Sequence, residues 1–280
     1  LELLRLSAND FSEEPPEWLF GLPRLAWYGD NGNPFGYKNS ASQSPLPDIS
    51  WGEIEFNEKI GESPSSQVFR GVLKETGQEV AVKVFKGGLT SDGFPADDMR
   101  ASLAAGTHKN LIKILGKLLS NSDKQEGLIL ALVPPAYKRL GLPPDFATCS
   151  RDTYPANTVF SLPYILNVLK GIASACQHLH ERGLAHGDIY AHNILTNSAG
   201  HSLLGDFGAA SFYDPLASRA RERLDVRAFG CLIEDLLDRV ETGSDKAVVA
   251  KLRGLEQACL NENVADRPFF KEVVEVINKS

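Results

Sequence analysis

The segment 53–133 alternates apolar and polar positions in the way that half-buried β-strands do. The run EIEFNEKIG predicts a first strand, and the run at 66–88 predicts two more, joined by a hairpin at Glu75-Thr76-Gly77. LIKILGKLLS and GLILALV are two further strand candidates. Together these elements predict a small antiparallel sheet.

The hydrophobic period becomes helical from Ser161 onward. Ser161 is a good helix cap and Gly183 a good stop, and the apolar residues between them recur every three or four positions: Ile165, Leu169, Ile172, Cys176 and Leu179. Further helices are predicted at 95–105, at Asp225–Val240 and at 268–278. A strand-rich segment followed by a helical one predicts an α+β protein with two lobes and a cleft between them.

The first 35 residues contain an internal repeat. The two copies superpose at a spacing of 24 residues, with the pairs Leu1/Leu25, Leu4/Tyr28, Asn9/Asn33 and Phe11/Phe35. We interpret residues 1–35 as the C-terminal end of a leucine-rich repeat array, rather than a chance Leu-rich lead-in. Leu6 against Asp30 breaks the pattern, which is typical of a degenerate terminal unit. The Ser- and Pro-containing stretch that follows predicts a linker at 36–52.

Composition narrows the class of protein. The chain has 280 residues, 42% of them apolar and 23% charged, with a net charge of −7. An acidic balance argues against nucleic acid or an anionic membrane as the main partner. The longest apolar run, Leu128–Val133, is too short to span a bilayer. Four scattered cysteines without a CxxC pair indicate a reducing, cytoplasmic location. Because the chain begins at Leu1, we expect it to be an excerpt from a longer protein.

Two short stretches carry candidate chemistry: HGDIYAHN, with Asp188 and Asn193, and GDFG, with Asp206. Carboxylate and amide oxygens are the ligands that Mg²⁺ prefers, so Asn193 and Asp206 could hold that ion. Asp188 would then be left to accept a hydroxyl proton. Upstream, Lys83 ends the run VAVK, where a buried ammonium group needs a carboxylate or phosphate partner.

Taken in order, these residues resemble the protein kinase signature over roughly 53–280. The motifs that carry the resemblance are a relic of a glycine loop in IGESPSSQVF, then AVK, HGDIYAHN, DFG, DVRAFG and ADRPFFKEVV. The resemblance implies a two-lobed kinase fold, with a small antiparallel sheet lobe at 53–133 and a helical lobe at 134–280. The order of repeat and kinase also resembles leucine-rich-repeat kinases.

The resemblance also assigns roles, with ATP and Mg²⁺ as cofactors. It implies that Lys83 holds the ATP phosphates, supported by Asp98 in preference to Asp97, that Asn193 and Asp206 bind Mg²⁺, and that Asp188 is the catalytic base. The other nucleotide-binding residues that it implies are Gly61, Ser63, Ser66, Val68, Ala81, Leu130, Ala131, Leu132, Val133 and Leu195.

The chain departs from the kinase pattern at several positions. Gly187 replaces the arginine before the catalytic aspartate, so we expect activity to be independent of activation-loop phosphorylation. Tyr190 replaces a lysine that neutralises phosphate charge, and Arg182 or Arg219 are candidates to take over its role. No Ala-Pro-Glu motif separates Gly208 from Asp225. Arg267, its usual partner, therefore needs another one, and Glu222 is a candidate.

These observations leave three functions open. The first is a Mg·ATP-dependent protein serine/threonine kinase whose protein substrates or partners are recruited by the repeats. The second is a small-molecule kinase of the aminoglycoside or choline type, favoured by HGD and by the 16 residues between Gly208 and Asp225. The third is a pseudokinase scaffold, favoured by the lost glycines and by Tyr190.

Overall fold

The N-terminal segment forms a pair of parallel strands. The computed structural model describes residues 1–35, 46–90, 93–145 and 147–280. Its first elements are β1 (Leu3–Arg5), α1 (Glu17–Phe20) and β2 (Trp27–Gly29). Leu3 lies opposite Trp27 in the β1–β2 pair, so the 24-residue repeat of the sequence corresponds to the strand register.

Asn33 ties the two repeat copies together. Its side-chain oxygen accepts hydrogen bonds from the backbone N–H groups of Asn9 and Phe11, both at 3.1 Å. Its side-chain nitrogen donates to the carbonyls of Leu6 and Asp30, both at 2.8 Å. The asparagine therefore satisfies backbone groups at a bend, where no strand ladder can do so.

A six-stranded sheet and one helix form the first lobe. The strands are β3 (Asp48–Ile49), β4 (Ile54–Glu62), β5 (Ser66–Leu73), β6 (Glu79–Phe85), β7 (Ile114–Leu118) and β8 (Gly127–Ala131), and the helix is α2 (Pro95–Ala105). Their order is β3-β7-β8-β6-β5-β4, antiparallel apart from the parallel pair β3–β7. Of the predicted linker, residues 36–45 lie outside the described part of the chain, and the remainder carries the edge strand β3.

Alternation along β6 separates the core of this lobe from its cleft-facing surface. Val80, Val82 and Val84 are buried in one apolar cluster of the sheet. Ala81 and Lys83, the residues between them, face the opposite side, as the two-residue period of a strand requires.

Helices and short strands form the second lobe. They are β9 (Lys138–Arg139), α3 (Leu162–Glu181), β10 (Leu184–Ala185), β11 (Ile194–Thr196), β12 (Ser202–Leu204), β13 (Ser211–Phe212), α4 (Ala220–Leu237), α5 (Lys246–Cys259) and α6 (Phe270–Asn278). The Ser161 hydroxyl accepts a hydrogen bond from the Tyr164 N–H at 3.4 Å, at the predicted start of α3. No helix in the described ranges is long and apolar enough to cross a bilayer.

Helices α1, α4 and α5 differ from the sequence prediction, which gave no helix at Glu17–Phe20. Helix α4 begins five residues before the predicted Asp225, because its first turn is polar and carries no apolar period. Helix α5 was not predicted at all. The Asp245 side chain caps its first turn by accepting hydrogen bonds from the N–H groups of Ala247 and Val248. Few of its residues are buried, and the exposed residues between them obscure the apolar period in the sequence.

The N-terminal segment packs into the helical lobe rather than standing apart from it. Ala26 and Trp27 belong to the large core that α3 and α4 build, and both are at most 2% exposed. Leu25 and Tyr28 form a second buried cluster with Leu224 of α4. Residues 1–35 and the helical lobe therefore share two buried apolar clusters.

Candidate active site

The cleft between the two lobes has a volume of about 360 Å³. Its walls come from the β4–β5 hairpin, β6 and β8 above and from β11 and the loops around it below. Every residue that the sequence predicted to bind nucleotide or metal lines this one cleft: Gly61, Ser63, Ser66, Val68, Ala81, Lys83, Leu130, Ala131, Leu132, Val133, Asn193, Leu195 and Asp206.

The loop between β4 and β5 is closed by serines where kinases carry glycines. The Ser63 N–H donates to the Ser66 carbonyl at 2.9 Å, and the two hydroxyls lie 3.0 Å apart. The Lys86 ammonium group donates to the Ser63 carbonyl at 2.8 Å. Ser63 and Asp206 also line a smaller recess of about 100 Å³ beside the main cleft. The hairpin therefore lies over the end of the cleft where Asp206 is placed.

Lys83 forms a buried ion pair with Asp98 of α2. Its Nζ lies 2.5 Å from Asp98 Oδ2, with the two side chains 13% and 5% exposed. Ser102 donates to the other Asp98 oxygen at 3.1 Å. Asp97 points elsewhere and pairs with Arg100 at 3.1 Å. Burial lowers the pKa of Lys83, but the charges of Asp98 and Asp206 outweigh it and raise that pKa, so the lysine is protonated.

Asn193 and His186 hold the catalytic loop around Asp188. The Asn193 amide nitrogen donates to Asp188 Oδ2 at 2.7 Å and to the Asp188 carbonyl at 3.0 Å. His186 accepts from the Asp188 N–H at 3.3 Å and donates from Nε2 to the Gly205 carbonyl at 3.1 Å. This geometry gives His186 a structural role in the loop. Both stretches that carry chemistry are thereby joined in one hydrogen-bonded network.

The donor set at Asp206 suits a magnesium ion. Burial raises the pKa of Asp206, but the Lys83 charge and the Gly208 N–H outweigh it and hold that pKa below the ordinary value. Both hydrogen bonds of the Asn193 side chain in the described structure use its nitrogen, which leaves its oxygen for a metal. An ionised carboxylate and an amide oxygen fit Mg²⁺, which completes its shell with water and phosphate oxygens.

Asp225 anchors the loop from below, a role that sequence reasoning did not assign. Its carboxylate is 1% exposed and accepts from the N–H groups of His186 at 2.7 Å and Gly187 at 2.9 Å. His180 donates to it at 2.9 Å. Burial raises the pKa of Asp225, but these donors hold it below its ordinary value. Asp225 is the first residue of the DVRAFG motif, which the sequence analysis used only as evidence for the resemblance to kinases.

The predicted replacement cations do not reach the catalytic loop. The Arg182 guanidinium donates to the Ala104 carbonyl at 2.9 Å. Arg219 pairs with Glu222 at 2.6 Å and lies over the Phe269 ring. Both expectations are therefore wrong, because each arginine is held by a nearer partner.

The predicted pairing of Arg267 with Glu222 is also wrong. Arg267 is 2% exposed and donates to three carbonyls, those of Asn261 at 2.9 Å, Arg223 at 3.1 Å and Pro23 at 2.6 Å. Burial and the nearby charge of Arg227 lower its pKa to about 10. Pro23 belongs to the N-terminal segment, so that segment supplies part of what an Ala-Pro-Glu motif would supply.

Arg5 of the N-terminal segment contacts Asp188, the residue that the sequence predicts as the catalytic base. Its Nη2 pairs with Asp188 Oδ1, and its Nη1 donates to the Gly187 carbonyl at 3.1 Å. Nearby, the Trp27 indole N–H donates to the Ile189 carbonyl at 3.1 Å, and the Trp27 ring stacks on Tyr190 with centroids 4.6 Å apart. No local sequence signal connects residues that are more than 160 positions apart, and sequence reasoning missed these contacts.

Gly187 is the position where the two segments come closest. Its φ is +71°, a conformation that side chains rarely adopt, and an added Cβ would lie 2.2 Å from the Tyr28 carbonyl oxygen. The same Cβ would lie 2.8 Å from the Ala209 carbonyl oxygen. Glycine is required here because backbone from two other segments fills the space of a side chain.

Comparison with known proteins gives a family for this arrangement. A model described as the protein kinase domain matches residues 54–230, more than half of the chain. The chain belongs to the protein kinase domain family. The predicted two-lobed kinase fold, with a sheet-rich lobe followed by a helical one, is confirmed.

Three relatives illustrate the range of similar proteins. "Cyclin-dependent kinase C-2 C" of Arabidopsis thaliana is 31% identical over 56% of the chain and 23% of its own length. "Cyclin-dependent kinase 11.1" of Caenorhabditis elegans is 29% identical over 59% of the chain and 22% of its own length. An Arabidopsis protein named "Probable LRR receptor-like serine/threonine-protein kinase" is 23% identical over 82% of the chain and 43% of its own length. The chain therefore spans less than half the length of these relatives.

Proposed function

We propose that this chain is a Mg·ATP-dependent protein serine/threonine kinase with Asp188 as its catalytic base. The observation that carries the proposal is the convergence of Lys83, Asp188, Asn193 and Asp206 on one cleft and its rim. Relatives named as serine/threonine-protein kinases and cyclin-dependent kinases support the substrate class.

The apolar part of the cleft suits a flat base. Val68 and Ala81 lie on the sheet side and Leu195 on the helical-lobe side, and residues 131–133 connect the lobes at its back. Lys83, charged and held by Asp98, would bind the α- and β-phosphates. Asn193 and Asp206 would hold Mg²⁺, which supplies positive charge against the phosphate oxygens when bound.

Asp188 would orient the acceptor hydroxyl and take its proton. The hydroxyl oxygen forms a bond to the γ-phosphorus, the bond from that phosphorus to the bridging oxygen breaks, and ADP leaves. Asn193 keeps the Asp188 carboxylate in place through the 2.7 Å hydrogen bond. Asp225 and His186 fix the loop that carries it.

We further propose that residues 1–35 are the end of a leucine-rich repeat array that recruits protein substrates. The support is the parallel β1–β2 register at a 24-residue spacing and the Asn33 hydrogen bonds at the bend. The similarity to a relative named as an LRR receptor-like kinase, over 82% of the chain, favours the same assignment.

Label transfer from ATP tests the function. The chain is incubated with γ-labelled ATP, Mg²⁺ and a generic protein substrate, beside the variants Asp188→Asn and Asp123→Asn. Asp123 is an exposed loop residue, and its replacement controls for the lost charge. We expect Asp188→Asn to lose at least about 100-fold in rate, the usual contribution of a general base, and Asp123→Asn to match the unaltered chain.

Three results would contradict the proposal. Equal rates in the Asp188→Asn variant would remove Asp188 as the base. Label transfer only to an added aminoglycoside or choline would identify a small-molecule kinase. The absence of any turnover by a folded chain would identify a pseudokinase.

A further inference from the structure

The catalytic loop lacks a positive charge of its own where kinases place a lysine. Tyr190 occupies that position, and it is 2% exposed and turned toward Trp27. Its hydroxyl donates to the Cys149 carbonyl and carries no positive charge. The charge that accumulates on the phosphate during transfer needs a cation close to the base.

We propose that Arg5 of the N-terminal segment takes over the work of that missing lysine. It would hold Asp188 in position and neutralise charge on the phosphoryl group as it is transferred. The inference rests on the proposed kinase function and adds to it a residue from outside the kinase motifs.

The geometry of Arg5 suits this role. Its guanidinium contacts Asp188 Oδ1 and the Gly187 carbonyl, and its side chain is 13% exposed. A planar, permanently charged group fixed in this way loses little freedom when it acts on a phosphate. Asp188 accepts one bond at each oxygen, from Arg5 and from Asn193. Since each carboxylate oxygen has two lone pairs, the base can still accept a hydroxyl proton.

Strand alternation in β1 directs Arg5 toward the loop. Leu4 and Leu6 pack into the cluster that contains Leu25 and Tyr28. Leu3 packs into the large core that includes Ile189 and Tyr190 of the catalytic loop. Arg5 lies on the same side of the strand as Leu3 because side chains two residues apart share a face.

The N-terminal segment is built into the lobe and is not a removable plug. Trp27 and Leu25 are at most 2% exposed, and Arg267 donates to the Pro23 carbonyl at 2.6 Å. The Asp30 carboxylate pairs with Arg221 of α4 at 2.8 Å. Displacing Arg5 by lifting the segment would open this whole interface, so the arginine is a constant part of the site.

The two departures of the catalytic loop support the same conclusion. Gly187 gives the Tyr28 backbone room to approach, and Tyr190 provides the ring on which Trp27 stacks. Both residues that replace the charged side chains of the kinase pattern therefore form the interface that delivers Arg5. The contact with residues 1–35 therefore accounts for the replacement of the arginine and the lysine of the kinase pattern by Gly187 and Tyr190.

The test compares Arg5→Gln, Arg5→Lys and the control Arg24→Ala. Glutamine keeps a polar N–H donor but carries no charge, and lysine keeps the charge. Arg24 lies on the same segment, with an exposed side chain paired to Glu2. Turnover constants, melting temperatures and the dissociation constants of Mg·ATP and Mg·ADP are measured for the 280-residue chain.

For Arg5→Gln we expect kcat to fall about 10- to 100-fold with KM for ATP changed less than about threefold, as for a group that acts mainly in the transition state. Arg5→Lys should recover most of that loss. The dissociation constants of Mg·ATP and Mg·ADP should likewise change less than about threefold, because the charge that Arg5 neutralises develops in the transition state. Arg24→Ala should match the unaltered chain in all readouts.

Unchanged kcat in a folded Arg5→Gln variant would overturn the inference while leaving the kinase function intact. A rise in kcat would also overturn it, and would show that Arg5 blocks the base. A glutamine variant that melts early while the lysine variant is equally inactive would assign Arg5 a purely structural role. No turnover by the unaltered chain would remove the proposed function and this inference with it.

Discussion

The inter-lobe cleft and the interface beneath it are built in different ways. The cleft is lined by short motifs, each carried on its own strand or loop, and it contains the residues that the kinase pattern marks. The interface joins the catalytic loop to residues 1–35, across more than 160 positions of chain. The departures at Gly187 and Tyr190 both lie on the interface side. The chain thus keeps Lys83, Asn193 and Asp206 in the cleft, with serines in its glycine loop, whereas both of the departures at Gly187 and Tyr190 form contacts with residues 1–35.

The largest effect that would test this contrast concerns the two tryptophans of the N-terminal segment. Trp27 is 2% exposed and stacked on Tyr190, whereas Trp18 is 68% exposed. Trp27→Ala should lower the free energy of unfolding by about 3–5 kcal/mol, because it leaves a cavity in a packed core. Trp18→Ala should change it by less than about 0.5 kcal/mol.

Chemical denaturation followed by far-UV circular dichroism measures both variants. Similar small losses for the two would mean that residues 1–35 detach easily, and the interface would then not be part of the kinase core.

A second prediction concerns the close approach at Gly187. Gly187→Ala and Gly77→Ala start from nearly equal backbone angles, φ of +71° and +68°. Both should lose about 1 kcal/mol through strain in the left-handed region. Only the alanine at 187 meets backbone, with its Cβ 2.2 Å from the Tyr28 oxygen, while the site at Gly77 is open within 4 Å. Gly187→Ala should therefore cost at least about 2 kcal/mol more, since a backbone contact cannot relax as a side chain does.

Thermal unfolding and limited proteolysis of the N-terminal segment measure the difference. Equal melting temperatures for the two alanine variants would contradict the interface. Restoring the arginine of the kinase pattern at position 187 should be at least as damaging as alanine, for the same steric reason.

The smallest of the three effects concerns the cleft itself. Asp98→Asn removes the charge that Lys83 Nζ contacts at 2.5 Å, while Asp97→Asn removes one that serves Arg100. We expect Asp98→Asn to weaken Mg·ATP binding about 10-fold, near 1.4 kcal/mol, because the lysine loses its partner. Asp97→Asn should change it less than about threefold.

Isothermal titration with Mg·ATP checks this pair of variants. An equal loss for the two would mean that α2 supports Lys83 only by packing. A loss confined to Asp97→Asn would mean that Asp97, and not Asp98, is the partner of Lys83.

Much of the cleft could be predicted because its residues belong to local patterns. Strand alternation placed Lys83, the resemblance to kinase motifs implied Val68 and Ala81, and the HGDIYAHN and GDFG stretches are themselves short motifs. The choice of Asp98 over Asp97 came from the same resemblance. Helix α5 was missed because its apolar period is sparse, although Asp245 marks its start.

The partners of the catalytic loop could not be predicted in this way. Arg182 and Arg219 were the nearest arginines in the sequence to the site, and both are held by other groups. Arg267 was matched to an acid, but it binds three carbonyls instead. A buried arginine can donate its hydrogen bonds to backbone carbonyls as well as to acidic side chains. Since every residue has a carbonyl group, the sequence does not indicate which carbonyls will be the acceptors.

The sequence by itself determined the kinase fold, the cleft residues and the 24-residue register of the N-terminal repeat. It also marked Gly187 and Tyr190 as departures, without a reason for them. The tertiary structure alone decided that β1 lies against the catalytic loop and that Arg5 contacts Asp188. The physical reason is that strand and helix periods encode which face of an element is buried, whereas the element that covers that face is chosen by packing across the whole chain.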